Sequence, residues 1–193
     1  MSDNRQSIQT ADHSVLTSTP HNSTINSIVS DSITVGFFDG VACVRVTGRG
    51  SSKNSVDVKV FVQRMMARGT RRFVVDLAQC EAMDSTFMGM LTGIALRLED
   101  LGDGGQLDVI NASIRSRQLL EDLGLDALFA IHCDGAGFAF AADKPLESAP
   151  VDPADKKQHI LEAHEALIQA DKSNEAKFRD VVEFLKNDTE EAT

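Results

Sequence analysis

The sequence predicts an α/β (α+β) domain in which helices cover a small mixed β-sheet of four to five strands. Three observations lead to this prediction. Short runs of β-branched and aromatic residues alternate with longer stretches whose apolar residues recur at helical spacing. Turns that contain glycine separate many of these runs. One run, residues 72–77, is almost continuously apolar, which is typical of a strand in the middle of a covered sheet.

The first half of this domain is predicted to be a hairpin, a helix and the central strand. Residues 33–37 and 41–47 form the hairpin, because Asp39-Gly40 between them favours a tight two-residue turn. Helical spacing then runs from Val56 to Met65 and ends near Gly69. The buried strand at residues 72–77 follows.

The second half repeats the alternation. A helix begins at about Ser85, residues 106–110 form a strand, and residues 114–123 form a helix that ends at Gly124. Residues 129–131 predict a last short edge strand. The order is therefore ββαβαβα with a final short strand, and sequential neighbours of this kind pack as one layered domain.

The remaining length lies in two appendages. Residues 1–30 are rich in Ser, Thr and Asn and predict a flexible polar tail, which leaves residues 31–142 as the domain. Residues 143–152 contain two prolines and are predicted to be a linker. Amphipathic helices follow Pro153, with a break at residues 171–174 where Ser173 is the expected cap of the second helix. The appendage at 143–193 carries a net charge of −6.

Composition excludes several classes of protein. The net charge is −10, from 29 acids and 19 bases, which disfavours nucleic acid as a partner. The longest uncharged apolar stretch, residues 85–96, is about half the ~20 residues that a membrane span needs, so we expect no membrane insertion. No secretory signal is visible at the start. Three widely spaced cysteines, Cys43, Cys80 and Cys133, are typical of reduced thiols and of a cytoplasmic protein.

The most informative segment is the turn at Asp84-Ser85-Thr86, which joins a hydrophobic strand to an apolar helix. Asp and Ser at this position often do no more than cap a helix by accepting hydrogen bonds from free backbone N–H groups. A second interpretation is that Ser85 is a phosphorylation site. A phosphate would be stabilised in part by the helix N-terminus and would repel a partner that docks on the turn. Local physics alone leaves both interpretations open.

The pattern as a whole resembles the STAS domain of anti-sigma factor antagonists, over roughly residues 32–132. The resemblance rests on three segments: Phe73-Val74-Val75-Asp76-Leu77, then Met83-Asp84-Ser85-Thr86 before an apolar helix, and later Leu119-Leu120-Glu121-Asp122-Leu123-Gly124-Leu125. It implies a bacterial protein whose serine at Ser85 is phosphorylated by an anti-sigma factor that is also a kinase. The unphosphorylated antagonist binds this kinase, and a phosphatase resets the switch. Thr86 is the fallback acceptor, and Asp84, Thr86 and Met88 are expected to contact the partner.

Two departures mark a divergent subfamily. Phe87 stands where the family motif has glycine. The loop after the second strand, residues 48–55, lacks the family's acidic residues and contains Arg49, Ser51, Lys53 and Asn54, which we expect to contact the partner. Because this loop and Ser85 should lie together at the carboxyl ends of the strands, Arg49 or Lys53 is expected to pair with phosphorylated Ser85; the alternative is a solvated loop with ordinary surface bases. Phe87 and an exposed Met are expected to form a soft partner-binding patch.

No catalytic constellation or cofactor motif is visible in the sequence. His159 and His164 lie about 140° apart on an ideal helix, so we expect a solvated helix surface rather than a metal site. A hydrolase built on Ser85 and His132 lacks the Gly-x-Ser-x-Gly elbow. The predicted function is therefore a non-enzymatic, phosphorylation-gated antagonist that needs no cofactor. The sequence leaves three roles open for the C-terminal helices: folding back over the sheet, forming a homodimer contact, or docking a second partner. The alternative is an accessory subunit of a larger assembly, for example a lipid ABC transporter, with the Ser85 turn as a static docking surface.

Overall fold

The computed structural model describes residues 30–102, 104–135 and 142–190. The described residues contain six strands and five helices. The strands are β1 (Ser32–Phe38), β2 (Val41–Gly50), β3 (Arg72–Met83), β4 (Gln106–Ile110), β5 (Ala130–Ile131) and β6 (Lys144–Pro145). The helices are α1 (Ser55–Ala67), α2 (Ser85–Leu101), α3 (Ile114–Glu121), α4 (Pro153–Ala170) and α5 (Glu175–Glu190). The predicted tail at residues 1–30 lies outside the described part except for Ser30.

The strands form one mixed sheet in the order β5-β4-β3-β2-β1-β6. β2 and β1 form an antiparallel hairpin, and Asp39 and Gly40 at its tip both have positive φ angles (49° and 77°), as the predicted two-residue turn requires. β2, β3, β4 and β5 are parallel neighbours. The apolar strand β3 therefore lies inside the sheet, as predicted.

The main hydrophobic core lies between the sheet and helices α1 and α2. One face of the central strands supplies Val44, Val75 and Val109, and α1 and α2 supply Val58 and Leu91, all of which are almost fully buried. Parallel strands need crossover connections, and α1, α2 and α3 provide them. Cys43 and Val74 belong to a smaller cluster on the other face of the sheet.

Two predicted boundaries are wrong. β2 and β3 continue past the predicted ends at residues 47 and 77, because they pair as far as Gly50 and Met83 through two register shifts. The polar residues in these extensions disfavour a strand locally, but long-range pairing overrides local propensity. In addition, β6 pairs with β1, although it lies in the segment predicted as a linker, so the sheet has one strand more than the highest expected number.

The helices of the C-terminal appendage, α4 and α5, form a helical hairpin, and α4 packs on α2 rather than on the sheet. Pro153 opens α4, and the break at residues 171–174 occurs where it was predicted. Asp171 caps the short 3-10 turn Lys172–Asn174 that precedes α5: its carboxylate accepts from the Ser173 N–H at 2.8 Å, and Ser173 lies inside this turn. Ion pairs Lys157–Asp188 and Lys186–Glu165 join α4 to α5.

The three cysteines are free: Cys43 and Cys80 are buried, and Cys133 is exposed. Burial raises the pKa of the Cys43 thiol to about 11, so this side chain stays protonated at neutral pH. Among the helices of the described residues, none is long and apolar enough to cross a membrane.

Candidate functional site

Ser85 is the first residue of α2 and follows β3 after a single residue, Asp84. The Asp84 carboxylate accepts two backbone hydrogen bonds, one from Phe87 N–H and one from Ser52 N–H, both at 2.9 Å. The first bond caps α2, as expected for an acidic residue at this position. The second bond joins the start of α2 to the loop between β2 and α1, so Asp84 holds two segments of the site together.

The β2–α1 loop lies beside the Ser85 turn, as the topology predicted. Asp84 N–H donates to the Gly50 carbonyl at 3.0 Å. Asn54 orders the loop from within: its Oδ1 accepts from Ser51 N–H and its Nδ2 donates to the Arg49 carbonyl. Loop and turn therefore form one hydrogen-bonded surface at the carboxyl ends of β2 and β3.

The basic side chains of this loop, Arg49 and Lys53, are both exposed. The Arg49 backbone N–H donates to the Asp31 carboxylate at 2.9 Å, which places an acidic group next to Arg49. A pairing of Arg49 or Lys53 with phosphorylated Ser85 stays a prediction.

The Ser85 hydroxyl forms a hydrogen bond with a histidine of the appendage. Its Oγ lies 3.0 Å from His164 Nε2, and His164 Nδ1 lies 2.8 Å from the Ile160 carbonyl. Because a carbonyl can only accept, Nδ1 carries the ring proton, and in the neutral imidazole Nε2 accepts from Ser85. The ring also contacts the edge of Phe178 on α5. The predicted phosphorylation site is therefore half-buried beneath the C-terminal helices.

A second serine–histidine pair fixes α4 over α1. The Oγ of Ser55, the first residue of α1, lies 2.8 Å from His159 Nε2. His159 and His164 are 5% and 4% exposed, so the expected solvated surface for these histidines is wrong. The spacing of the two histidines on one ideal helix does not predict their burial, because they contact two different helices. His159 contacts α1 and His164 contacts α2. Burial, followed by the charge of Lys59, lowers the pKa of His159.

Two glycines allow α4 to approach α2 closely. A Cβ at Gly89 would lie 2.2 Å from the carbonyl oxygen of Ala163, so only glycine fits there without displacement. Gly93, one turn later, faces Ala166 with ordinary contact distance. Lys59 and Glu162 form an ion pair at 2.5 Å across the α1–α4 contact. Because several independent contacts hold α4, its cover over Ser85 is a specific packing arrangement.

The apolar patch predicted next to the switch does not occur in this conformation. Phe87 is 0% exposed and packs against Gly50, where a Cβ would meet the ring at 2.8 Å. Met88 is 6% exposed, and Met83 and Met90 are also buried. These side chains complete the core between the sheet and α2. The expectation that Phe87 and Met88 contact a partner is therefore wrong for this conformation. Thr86 is buried as well, which leaves Ser85 as the more accessible hydroxyl.

The hydrolase alternative based on Ser85 and His132 is wrong in its geometry. His132 lies near Asp108, with Nε2 and Oδ1 3.5 Å apart, and it is His164 that contacts Ser85. A cavity of about 640 Å³ between α1, α2 and α4 is lined by neither Ser85 nor His164. Within the described ranges, no cluster of three or more His, Cys, Asp or Glu side chains has the geometry to hold a metal ion.

Sequence reasoning missed the docking of α4 on the site. The signal that points to it is the glycine pair at positions 89 and 93 of an otherwise apolar helix, because small residues four apart allow close helix contact. The partner helix itself is not identifiable from such a pair, since several amphipathic helices occur in the chain.

Comparison with known proteins gives one family and a set of similar folds. Residues 33–130 match the family model described as "Mlab, STAS domain". A candidate anti-sigma factor antagonist from Thermotoga maritima is 18% identical, with a TM-score of 0.48, over 52% of this chain and 85% of that chain. The phosphorylated Bacillus cell fate determinant SpoIIAA is 16% identical, with a TM-score of 0.45, over 52% and 90%. An anti-sigma factor antagonist from Mycobacterium paratuberculosis is 23% identical, with a TM-score of 0.46, over 53% and 86%. None of the curated proteins compared with the chain matches it.

Proposed function

This chain belongs to the STAS domain family, and from that premise we propose that it is a bacterial, cytoplasmic anti-sigma factor antagonist. In this proposal the unphosphorylated protein binds an anti-sigma factor kinase through the Ser85 turn and the β2–α1 loop. Phosphorylation of Ser85 releases the kinase, and a phosphatase restores binding. The protein acts by binding and has no catalytic role of its own.

The observation that carries the proposal is the position of Ser85 at the N-terminus of α2, in a turn that Asp84 joins to the neighbouring loop. The free N–H groups and the dipole of a helix N-terminus stabilise added negative charge. A phosphate adds about −1.5 to −2 charges at neutral pH, enough to change which partners the surface accepts. Loop residues Arg49, Ser51, Lys53 and Asn54 flank the same surface and are the proposed partner contacts.

The C-terminal helices add a condition to this switch. His164 occupies the space beside the half-buried Ser85 hydroxyl, so in this proposal the docked α4 hinders the approach of a kinase to Ser85. We therefore include in the proposal that α4 must move before the kinase binds. The docked appendage then competes with the kinase for the turn.

The proposal is tested by incubating the full chain with a candidate kinase and ATP and measuring the mass. One phosphate is expected on wild type and on Thr86→Ser, and none on Ser85→Ala. Ser85→Asp is expected to lose kinase binding, because it places a charge at the turn. If Ser85→Asp binds the kinase as tightly as wild type does, the switch is refuted.

A pair of glycine variants tests the role of α4. Gly89→Ala forces the added Cβ against the Ala163 carbonyl and should loosen α4, whereas Gly93→Ala has room for its Cβ and is the matched control. Phosphorylation of Ser85 is expected to be several times faster in Gly89→Ala than in wild type and unchanged in Gly93→Ala. Equal rates in the two variants would show that α4 does not limit access.

The second candidate function is a subunit of a larger assembly, for example of a lipid ABC transporter, with a static docking surface. It is favoured by the fact that the Ser85 hydroxyl already has a partner and lies half-buried under α4. Under this function the chain co-purifies with a membrane complex, carries no phosphate at Ser85, and tolerates Ser85→Asp without loss of its partner. Mass spectrometry of the purified complex reports both the partner and the phosphorylation state.

A further inference from the structure

A groove of about 640 Å³ lies between α1, α2 and α4, away from the Ser85 turn. Its volume is in the range of small-molecule sites, which are commonly ~300–1,000 Å³. Much of its lining is apolar. These apolar side chains come from α1 and α2: Val62, Met66, Met90, Ile94 and Leu101. An alkyl chain is the kind of group that such a lining takes from water.

The two ends of the groove differ. α1 and α2 run in the same direction, since each leads from the carboxyl end of one parallel strand to the start of the next. Arg71, just after α1, and Arg97, near the end of α2, therefore lie at the same end of the groove. Lys59 and His159 lie toward the opposite end, near Ser55, the first residue of α1.

The Arg71–Arg97 end of the groove contains hydrogen-bond donors that are available to an acceptor. Arg71 Nη1 donates to the carbonyls of Met66 and Thr70, which fixes the guanidinium, but its Nε is buried and has no hydrogen-bond partner. A buried donor without a partner is costly, so an acceptor placed there is favoured. Arg97 is exposed and forms no ion pair with the residues that the structure describes.

Charge in the groove favours an anion. The lining contains three cations, Lys59, Arg71 and Arg97, and its acidic residue, Glu162, is already paired with Lys59. This excess of positive charge stands against a chain whose net charge is −10. Lys59 is neutralised by its pair, so the unpaired cations of the groove lining are Arg71 and Arg97; Asp100 and Glu165 flank Arg97 only in a neighbouring cavity.

We propose that this groove binds a single-chain amphiphile with a carboxylate head group, such as a fatty acid. The alkyl chain lies along the apolar lining, and the carboxylate accepts hydrogen bonds from Arg71 and Arg97. Because His159, Glu162 and Ala163 of α4 form one wall, the ligand binds only when α4 is docked, and its binding stabilises that docked state. The binding site stands on its own; the consequence that the ligand keeps Ser85 covered rests on the proposed function.

The test is calorimetric titration of the full chain with three probes below their micelle concentrations: laurate, dodecyl maltoside and dodecyltrimethylammonium. Laurate is expected to bind with a stoichiometry of one, at least tenfold more tightly than the neutral or the cationic probe. Equal affinity for all three would overturn the proposal, because it would reduce the groove to a non-specific apolar surface. The kinase is absent from this experiment, so its outcome is independent of the switch at Ser85.

Two variants locate the site. Arg97→Gln, on an exposed residue, should weaken laurate binding about tenfold or more, because a charge-assisted hydrogen bond is lost; Arg115→Gln on α3 is the matched control and should change nothing. Met66→Glu places a negative charge in the apolar lining and should abolish binding, whereas Gly93→Ala, whose Cβ has room, should retain it. Circular dichroism of each variant confirms folding. Laurate binding that survives both Arg97→Gln and Met66→Glu unchanged would place the ligand elsewhere and refute the proposal.

Discussion

Asp76 is the buried acid that ties three strands together on the face of the sheet away from α1 and α2. Its carboxylate accepts from Arg45 Nε on β2 at 2.8 Å, from Asn111 Nδ2 after β4 at 2.8 Å, and from the Ala78 N–H at 3.0 Å. Burial opposes ionisation, but the hydrogen bonds from Asn111, Arg45 and Ala78 outweigh it and hold the pKa of Asp76 below its usual value. The ionised carboxylate is therefore a structural group.

Asp76→Asn is expected to lower the free energy of unfolding by about 1–3 kcal/mol at pH 7, because the charged acceptor is lost. A depressed pKa means that this stabilisation is present above the usual Asp value of 3.8 and is lost as the pH falls through the lower folded value. Urea unfolding at pH 7 and near pH 3 measures the difference.

Glu121→Gln is the matched control for Asp76→Asn. It breaks the exposed Arg117–Glu121 pair, and such solvent-screened pairs contribute little to stability. A loss in Asp76→Asn no greater than in this control would contradict the structural role of Asp76.

At the scale of the elements, the sequence predicts what depends on local pattern. The hairpin turn at Asp39-Gly40, the apolar strand β3 and the start of α2 at Ser85 each have a local signal, and each is where it was predicted. The extension of β2 to Gly50 has no local signal, because it depends on pairing with β3 residues more than thirty positions later. The cover of Ser85 by His164 is missed for the same reason.

The docking of α4 is expected to depend on pH through His159. Burial and the nearby Lys59 charge lower the pKa of this histidine below 6.5, while Glu162 acts in the opposite direction. The stabilisation it provides is therefore present above pH 6.5 and is lost as the pH falls through the folded value. Hydrogen exchange of α4 amides, corrected for the intrinsic rate, should show weaker protection at pH 5.5 than at pH 7.5.

His159→Gln keeps a polar group near Ser55 but does not titrate in this range. The change in α4 protection between pH 7.5 and pH 5.5 should be smaller in this variant than in wild type. An identical pH dependence in both proteins would assign the effect to another group and contradict the prediction.

At the scale of the whole molecule, the hairpin of α4 and α5 leaves an apolar outer surface on α5. Phe184 is 69% exposed and Val181 also faces solvent. A homodimer through the C-terminal helices, one of the three roles that the sequence leaves open, would bury these two side chains. Light scattering of the full chain is expected to give the mass of a dimer, and Phe184→Glu the mass of a monomer, because a charge in an apolar contact is not compensated.

Phe38→Glu is the matched control, since Phe38 is similarly exposed (64%) but lies at the end of β1, on a different element. It should leave the mass unchanged. A monomeric wild type, or a dimer that Phe38→Glu and Phe184→Glu disrupt equally, would contradict a contact through α5.

The close crossing at Gly89 links the sequence of the domain to that of its appendage. A side chain at position 89 would collide with the Ala163 carbonyl of α4, so docking of this appendage requires a glycine in the domain. Another STAS chain given this appendage would need the same glycine four residues after the serine that corresponds to Ser85. Conversely, a chain with that glycine and a histidine about 79 residues beyond the serine, the separation of Ser85 and His164, is expected to carry a covering helix of its own. The glycine and the histidine together therefore distinguish self-covered domains from open ones at the level of the amino-acid sequence.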